Sequence, residues 1–183
     1  VEYRPDIAAF YHDQHPQDTM VIGDAHQYLL DHYQEYDFIW SSVPCPTHSR
    51  ARFWSAKGGK VPSVYPDMDL YAEILLLQNY YNGLWVVENV TPFYEPLIPA
   101  QKIGRHLFWS NFKIYAVEPG DADIKNGTRE EWQTLHGIDI TGYRFADRTD
   151  KILRNCVNPE LGLHILESAA STSPHTIQQA ALF

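Results

Sequence analysis

With 183 residues, 44% of them hydrophobic and 14% aromatic, the chain has enough apolar surface for a full core, which excludes intrinsic disorder and reads as one domain, residues 1–183. No run approaches the roughly 18 apolar residues of a membrane span, and no signal peptide opens the chain, so a cytoplasmic protein without a membrane partner is expected. A formal net charge of −9 excludes a general nucleic-acid coat protein, because phosphate binding rests on basic surface. Cys45 and Cys156 are the 2 cysteines; they lie outside any CxxC or Cys/His zinc spacing and are expected as reduced thiols. The scattered histidines form no HxxxH or HExxH pair, so no metal site is expected.

In chain order, Val1-Glu2-Tyr3 reads as a strand end, and Pro5 opens a helix that carries Ile7, Phe10 and Tyr11 and ends near His15-Pro16. Met20-Val21-Ile22 is a short strand leading into Gly23-Asp24-Ala25, followed by a helix marked by Leu29, Leu30 and Tyr33. The apolar run ending Phe38-Ile39-Trp40 is a strand that delivers Pro44-Cys45-Pro46. Residues 46–66 show little periodicity and read as a long mobile loop. A helix follows from about Asp67, its expected cap, to Tyr81, where Asn82-Gly83 stops it. Leu84 to Val87 is a strand ending at Glu88. Thr91 to Pro99 is irregular, and Phe108 to Val117 alternates as a strand with Phe112, Ile114 and Ala116 on one side. Thr128-Arg129-Glu130-Glu131 is a capping box, and a last helix starts near Asn158-Pro159 and carries Leu161, Leu163, Ile165 and Leu166. Strands alternating with helices predict a doubly wound, mostly parallel sheet.

Two strand ends carry the candidate chemistry. Pro44 and Pro46 stiffen the backbone that presents the Cys45 thiol, and Glu88 ends the next apolar strand. The carboxyl end of an open α/β sheet is where such folds place their sites. Between Thr47 and Lys60 the chain carries Arg50, Arg52, Lys57 and Lys60 with no acidic residue, a stretch suited to phosphates on an otherwise acidic protein.

Pro44-Cys45 followed by Glu88-Asn89-Val90 resembles the motifs of the DNA cytosine-5 methyltransferase family. The resemblance implies a Rossmann-like fold of the S-adenosylmethionine-dependent type and methyl transfer to carbon 5 of a cytosine flipped out of duplex DNA. Cys45 would be the nucleophile, Glu88 the acid at cytosine N3, and Arg105, from Gln101-Lys102-Ile103-Gly104-Arg105, the group that approaches the base and keeps the thiol ionised. Cofactor contacts fall on Glu2 and Tyr3 (ribose and adenine), Asp24 and Ala25 (the adenine amino group), Pro44, and Asn155 and Val157 in the last motif. Substrate contacts fall on Pro46, Ser49, Arg50, Asn89 and Gln101, with Asn89 orienting the loop after its strand and residues 46–60 closing on the substrate.

The chain departs from the family in five places. Pro46 stands where the family has glutamine, and Ile103 replaces the middle arginine of Gln-x-Arg-x-Arg. Ile152 and Arg154 replace the glutamine and glycine of the last motif. The glycine-rich Phe-x-Gly-x-Gly turn is not in the sequence, so a segment upstream of Val1 or a second polypeptide is expected to supply it, unless catalysis is lost. Only residues 118–150 are left for target recognition, a much reduced region. Two alternatives therefore accompany the DNA reading: a tRNA cytosine-5 methyltransferase, and a noncatalytic or split subunit that binds nucleic acid or a partner enzyme.

Overall fold

The computed structural model describes residues 1–115, 127–146 and 149–172. Along the chain these form α1 (Pro5–Gln14), α2 (Ala25–His32) with a 3-10 turn (Tyr33–Glu35), β1 (Phe38–Ser42), α3 (Arg50–Lys57), α4 (Asp69–Tyr80), β2 (Leu84–Val90), β3 (Gln101–Ile103), β4 (His106–Ser110), α5 (Arg129–His136), α6 (Thr149–Asn155) and α7 (Pro159–Ala170). They fall into two compact units: the described residues of Val1–Tyr33 and Gly120–His164, and those of Gln34–Pro119 and Ile165–Phe183. No helix among the described residues is long and apolar enough to cross a membrane.

The first unit is built on helices. Pro5 occupies the first turn of α1, where its missing N–H costs nothing, and Phe10 buries beside Trp132, Ile140 and Leu153. Tyr143 meets the Phe10 ring edge-on, with centroids 4.8 Å apart. Thr128 closes the expected capping box, its hydroxyl accepting from the Glu131 N–H while the Glu131 carboxylate accepts from the Thr128 N–H. The described part of the expected recognition region, residues 127–146, thus contributes Trp132, Ile140 and Tyr143 to a core; residues 118–126 and 147–148 lie outside the described residues. The strands expected at residues 1–3 and 20–22 shrink to one parallel bridge between Glu2 and Ile22, held by Glu2 N–H to Val21 O at 2.9 Å and Gly23 N–H to Glu2 O at 3.1 Å.

The second unit carries a mixed four-stranded sheet in the order β1-β2-β4-β3. β1 and β2 run parallel, joined by the crossover that contains α3 and α4, whereas β4 pairs antiparallel with both β2 and β3. One parallel pair and two antiparallel ones replace the mostly parallel sheet that alternation predicts. The β3–β4 pair is a hairpin at Gly104-Arg105, where Gly104 adopts φ 56°, a conformation that favours glycine at a tight reversal. Apolar positions on consecutive turns of α4, Leu70, Ile74 and Leu77, are essentially inaccessible, and the helix packs on β2.

Four boundaries differ from the sequence expectation. The loop at 46–66 contains α3: Ser49 caps it by accepting from Arg52 N–H, and Gly58 ends it. Its eight residues are too few, and too polar, to register as an apolar stripe. β2 continues past Glu88 to Val90 because β4 pairs with Glu88, Asn89 and Val90, so Glu88 lies within the strand rather than at its end. The strand expected at 108–117 sits instead at 106–110. Phe112 and Ile114 are buried as the alternation requires, but the Gln101 side chain, not a ladder, serves their backbone: its amide donates to Phe112 O and accepts from Ile114 N–H. Ala116 and Val117 lie outside the described residues. At the start of α4, Met68 rather than Asp67 holds the cap position, while the Asp67 carboxylate accepts from Asp69 N–H.

Candidate active site

The parallel register sets the site. Ser42, the last residue of β1, stands opposite Glu88 of β2, and Cys45 follows on the turn just beyond Ser42. The Cys45 carbonyl accepts from the N–H groups of His48 at 3.0 Å and Ser49 at 3.1 Å, so a tight turn presents the half-buried thiol before α3 begins. Asn89 fixes the entry to that turn: its side-chain amide donates to the Val43 carbonyl at 3.0 Å, and its side-chain oxygen accepts from Val90 N–H at 2.9 Å. Pro44 and Pro46 on either side of the thiol are exposed.

Glu88 is 7% exposed. Trp40 donates its indole N–H to Ser42 Oγ at 3.1 Å, and Ser42 in turn donates to Glu88 Oε2 at 3.0 Å. The other oxygen, Oε1, faces His106 Nε2 at 3.5 Å. Burial pushes the Glu88 carboxyl above its ordinary range, against the opposing pull of the Ser42 hydroxyl, the Arg105 charge and the Trp40 indole. Since Oε2 already accepts from Ser42, a proton held by this acid belongs on Oε1. The arrangement is a sheltered carboxyl with Oε2 accepting from Ser42 and Oε1 facing His106, its charged form disfavoured by burial.

Arg105 lies in the β3–β4 turn, exposed, and its charge acts on Glu88; its carbonyl accepts from both the N–H and the hydroxyl of Thr91. The remaining expected substrate residues are tied into the scaffold. Ser49 Oγ caps α3, Arg50 Nε donates to the Pro92 carbonyl at 3.1 Å, and Gln101 also donates to Ser110 Oγ at 2.9 Å. The Ser49 and Arg50 bonds lie just beyond Cys45 in the chain, whereas Gln101 sits on the edge strand β3, separated from Glu88 by β4.

The expected cofactor residues apart from Pro44 belong to the first unit. The bridge from Glu2 to Ile22 sets Glu2-Tyr3 beside Gly23-Asp24. Glu2 Oε1 accepts from Arg4 N–H at 2.8 Å, and Asp24 Oδ1 accepts from Gln27 N–H at 3.0 Å as the cap of α2, whose first residue is Ala25. Tyr3 is 75% exposed. Asn155 is exposed at the end of α6 and Val157 is half-buried in the turn after it. The buried asparagine of that turn is Asn158, whose side chain caps α7 by accepting from the N–H groups of Glu160 and Leu161. Arg154 lies over the Trp132 ring at 4.5 Å, which gives the residue in the usual glycine position a packing task. Burial pushes the Cys156 thiol up, and Cys156 donates to Ile152 O; both features make it an unreactive structural thiol.

Four residues around Cys45 and Glu88 were not singled out from the sequence: Ser42, His48, Tyr94 and His106. Ser42 is legible in hindsight as the polar residue that ends an apolar strand. The other three depend on contacts between segments far apart in the chain, which single-sequence periodicity does not encode. Comparison with protein-family models, curated proteins and solved structures gave no match.

Proposed function

We propose that the chain is a cytosine-5 methyltransferase acting on DNA, with the doubly wound Rossmann-like topology of that family as its ancestry. The observation that carries this reading is the pairing of Ser42 with Glu88, which brings the Cys45 turn beside a buried carboxyl raised above its ordinary range by burial. Cytosine carbon 5 is a poor nucleophile. Adding the Cys45 thiolate at carbon 6 makes it one, and the electron density pushed into the ring needs a proton or a strong hydrogen bond at N3. Glu88, protonated on Oε1, supplies it. Arg105 offsets negative charge at the same place. S-adenosylmethionine supplies an electrophilic methyl group. Loss of the carbon 5 proton and departure of the Cys45 thiolate then restore the aromatic ring.

The side-chain set of the first unit suits the adenosine half of that cofactor. Glu2 and Asp24 offer carboxylate acceptors for hydroxyl and amino donors, and the exposed Tyr3 ring offers a face for adenine. The sequence offers no glycine-rich turn for the methionine half. Because the target carbon lies inside the duplex, the cytosine must flip out, at a cost of a few kcal/mol. Arg52, Lys57 and Lys60, on and just after α3, would meet the opened backbone.

The test is covalent trapping. The protein is mixed with S-adenosylmethionine and duplex DNA carrying 5-fluorocytosine, whose fluorine blocks the final elimination, and mass spectrometry looks for an adduct on Cys45. An adduct is expected with the native protein and none with Cys45→Ala. Adduct formation on tRNA alone would move the substrate to RNA, and methylation by Cys45→Ala would remove the mechanism.

A further inference from the structure

Resting on that reading, we infer that His48 is a positioning residue for Cys45, acting as a neutral pin that ties the nucleophile's turn to the loop following Glu88. His48 is fully buried, three residues beyond the thiol. Its backbone works in both directions, the N–H donating to Cys45 O and the carbonyl accepting from Phe93 N–H at 3.2 Å. Its ring lies against the same loop, with Nδ1 and Tyr94 Oη in hydrogen-bond contact at 2.5 Å.

The direction of that bond follows from the groups behind it. Leu97 N–H donates to Tyr71 Oη at 3.2 Å, and Tyr71 donates its hydroxyl to Tyr94 Oη at 3.4 Å. Tyr94 therefore has its own proton to give, and gives it to His48 Nδ1. The imidazole must accept there, so it is neutral and carries its proton on Nε2, a buried atom without a hydrogen bond of ordinary geometry among the described residues; Asp67 is the charged residue that faces the ring. A charged imidazolium would present N–H on both nitrogens and turn a donor toward a hydroxyl already oriented to donate. The pin holds only while His48 is neutral.

Neighbouring contacts explain why a small loosening would reach the chemistry. Ser49 bridges to Pro92, Arg50 holds the Pro92 carbonyl, and Phe53 stacks on Phe93 with centroids 4.3 Å apart and planes 7° from parallel. These secure α3 to the loop of residues 91–99, but they lie downstream of the turn. Of the contacts to the loop of residues 91–99, that of His48 is nearest Cys45 in the chain, and its side chain touches no reacting atom; Asn89 at Val43 and Asp67 N–H at Thr47 Oγ1 hold the turn from other elements.

The experiment compares native protein, Tyr94→Phe, His48→Phe and the double variant, each checked for folding by circular dichroism. The readouts are the rate at which 2,2′-dipyridyl disulfide modifies Cys45, followed by peptide mass mapping to separate it from Cys156, and the yield of the 5-fluorocytosine adduct. Thiol modification is expected to quicken at least threefold in each single variant and adduct yield to fall at least tenfold. The double variant should be no worse than either single one, because both remove the same bond. Acidification removes thiolate from both proteins, so the expected sign of the pin is that the native rate relative to that of His48→Phe rises as pH falls below 6.5. Additive effects in the double variant, or unchanged modification rates in folded Tyr94→Phe, would overturn the proposal. Altered modification without any adduct in native protein would instead refute the methyltransferase reading and leave the pin standing.

Discussion

Replacing Glu88 with Gln separates what the carboxyl does for chemistry from what it does to stability. The amide preserves shape and keeps an oxygen to accept from Ser42, whose bond at 3.0 Å is thereby conserved. It cannot deliver a proton to cytosine N3. A positioned general acid contributes typically about 10²–10⁴-fold, so methyl transfer by Glu88→Gln should fall by about that factor while DNA binding changes little. Stability should move the other way. Burial raises the folded-state pKa of Glu88 above its ordinary value of 4.5, so between 4.5 and that raised value the folded chain holds more protons than the unfolded one. Stability from this group is therefore complete below pH 4.5 and is lost as pH rises through the raised value. Glu88→Gln, which does not titrate, should gain relative to native protein as pH increases from 4.5 to 7.5. Urea unfolding at the two pH values measures the gain, and transfer of a radiolabelled methyl group measures turnover. A variant that turns over within threefold of native, or whose relative stability falls with rising pH, refutes the assignment of Glu88 as a buried acid.

Other outcomes follow from local geometry. A Cβ on Gly83 would collide with Tyr81 Oη and come within 2.8 Å of the Asp37 carbonyl, so Gly83→Ala should destabilise by about 1–3 kcal/mol, seen as a lower urea midpoint at constant m. Thr128→Ala removes one half of the capping box on α5 and should cost about 0.5–2 kcal/mol, measured by the same titration. For His48, burial lowers the folded pKa below its ordinary 6.5, with Asp67 opposing the shift, and Tyr94, Tyr71 and the Cys45 turn are its other polar surroundings. Between the two values the unfolded chain holds more protons, so native stability should fall as pH drops below about 6.5 and level off beneath the folded value. His48→Phe should lose that slope.

The legible parts of this fold were those written in local sequence: Pro5 opening α1, Thr128 and Glu131 closing a capping box, and the apolar runs of β1 and β2. Cys45 and Glu88 were expected after adjacent strands, and the register of Ser42 with Glu88 sets those two strands side by side. What stayed hidden depended on distant partners. Gln101 replaces ladder bonds for Phe112 and Ile114, which buries an alternating segment without making it a strand. α3 exists because Ser49 caps it and Phe53 finds Phe93, and neither contact leaves a periodic trace in eight residues. The antiparallel pairing of β3 with β4 turns on one left-handed glycine at position 104.

Glu88 and Asn89 together argue that the polar end of β2 has two separate tasks. Consecutive strand residues point to opposite faces, yet both are nearly inaccessible, at 7% and 3%. Asn89 makes a donor bond to Val43 and an acceptor bond to Val90, so its burial is compensated and its role is to hold the strand that leads to Cys45. Glu88 has one bond from Ser42 and a longer approach to His106, with burial outweighing the groups that favour its charge. A buried carboxyl of this kind costs stability that an apolar residue of similar size would not. Raised acids at a cleft are a recurrent mark of functional sites. On the proposed reading the residue with both amide groups paired builds the end of β2, and the carboxyl that burial raises is the acid that serves addition to a pyrimidine ring.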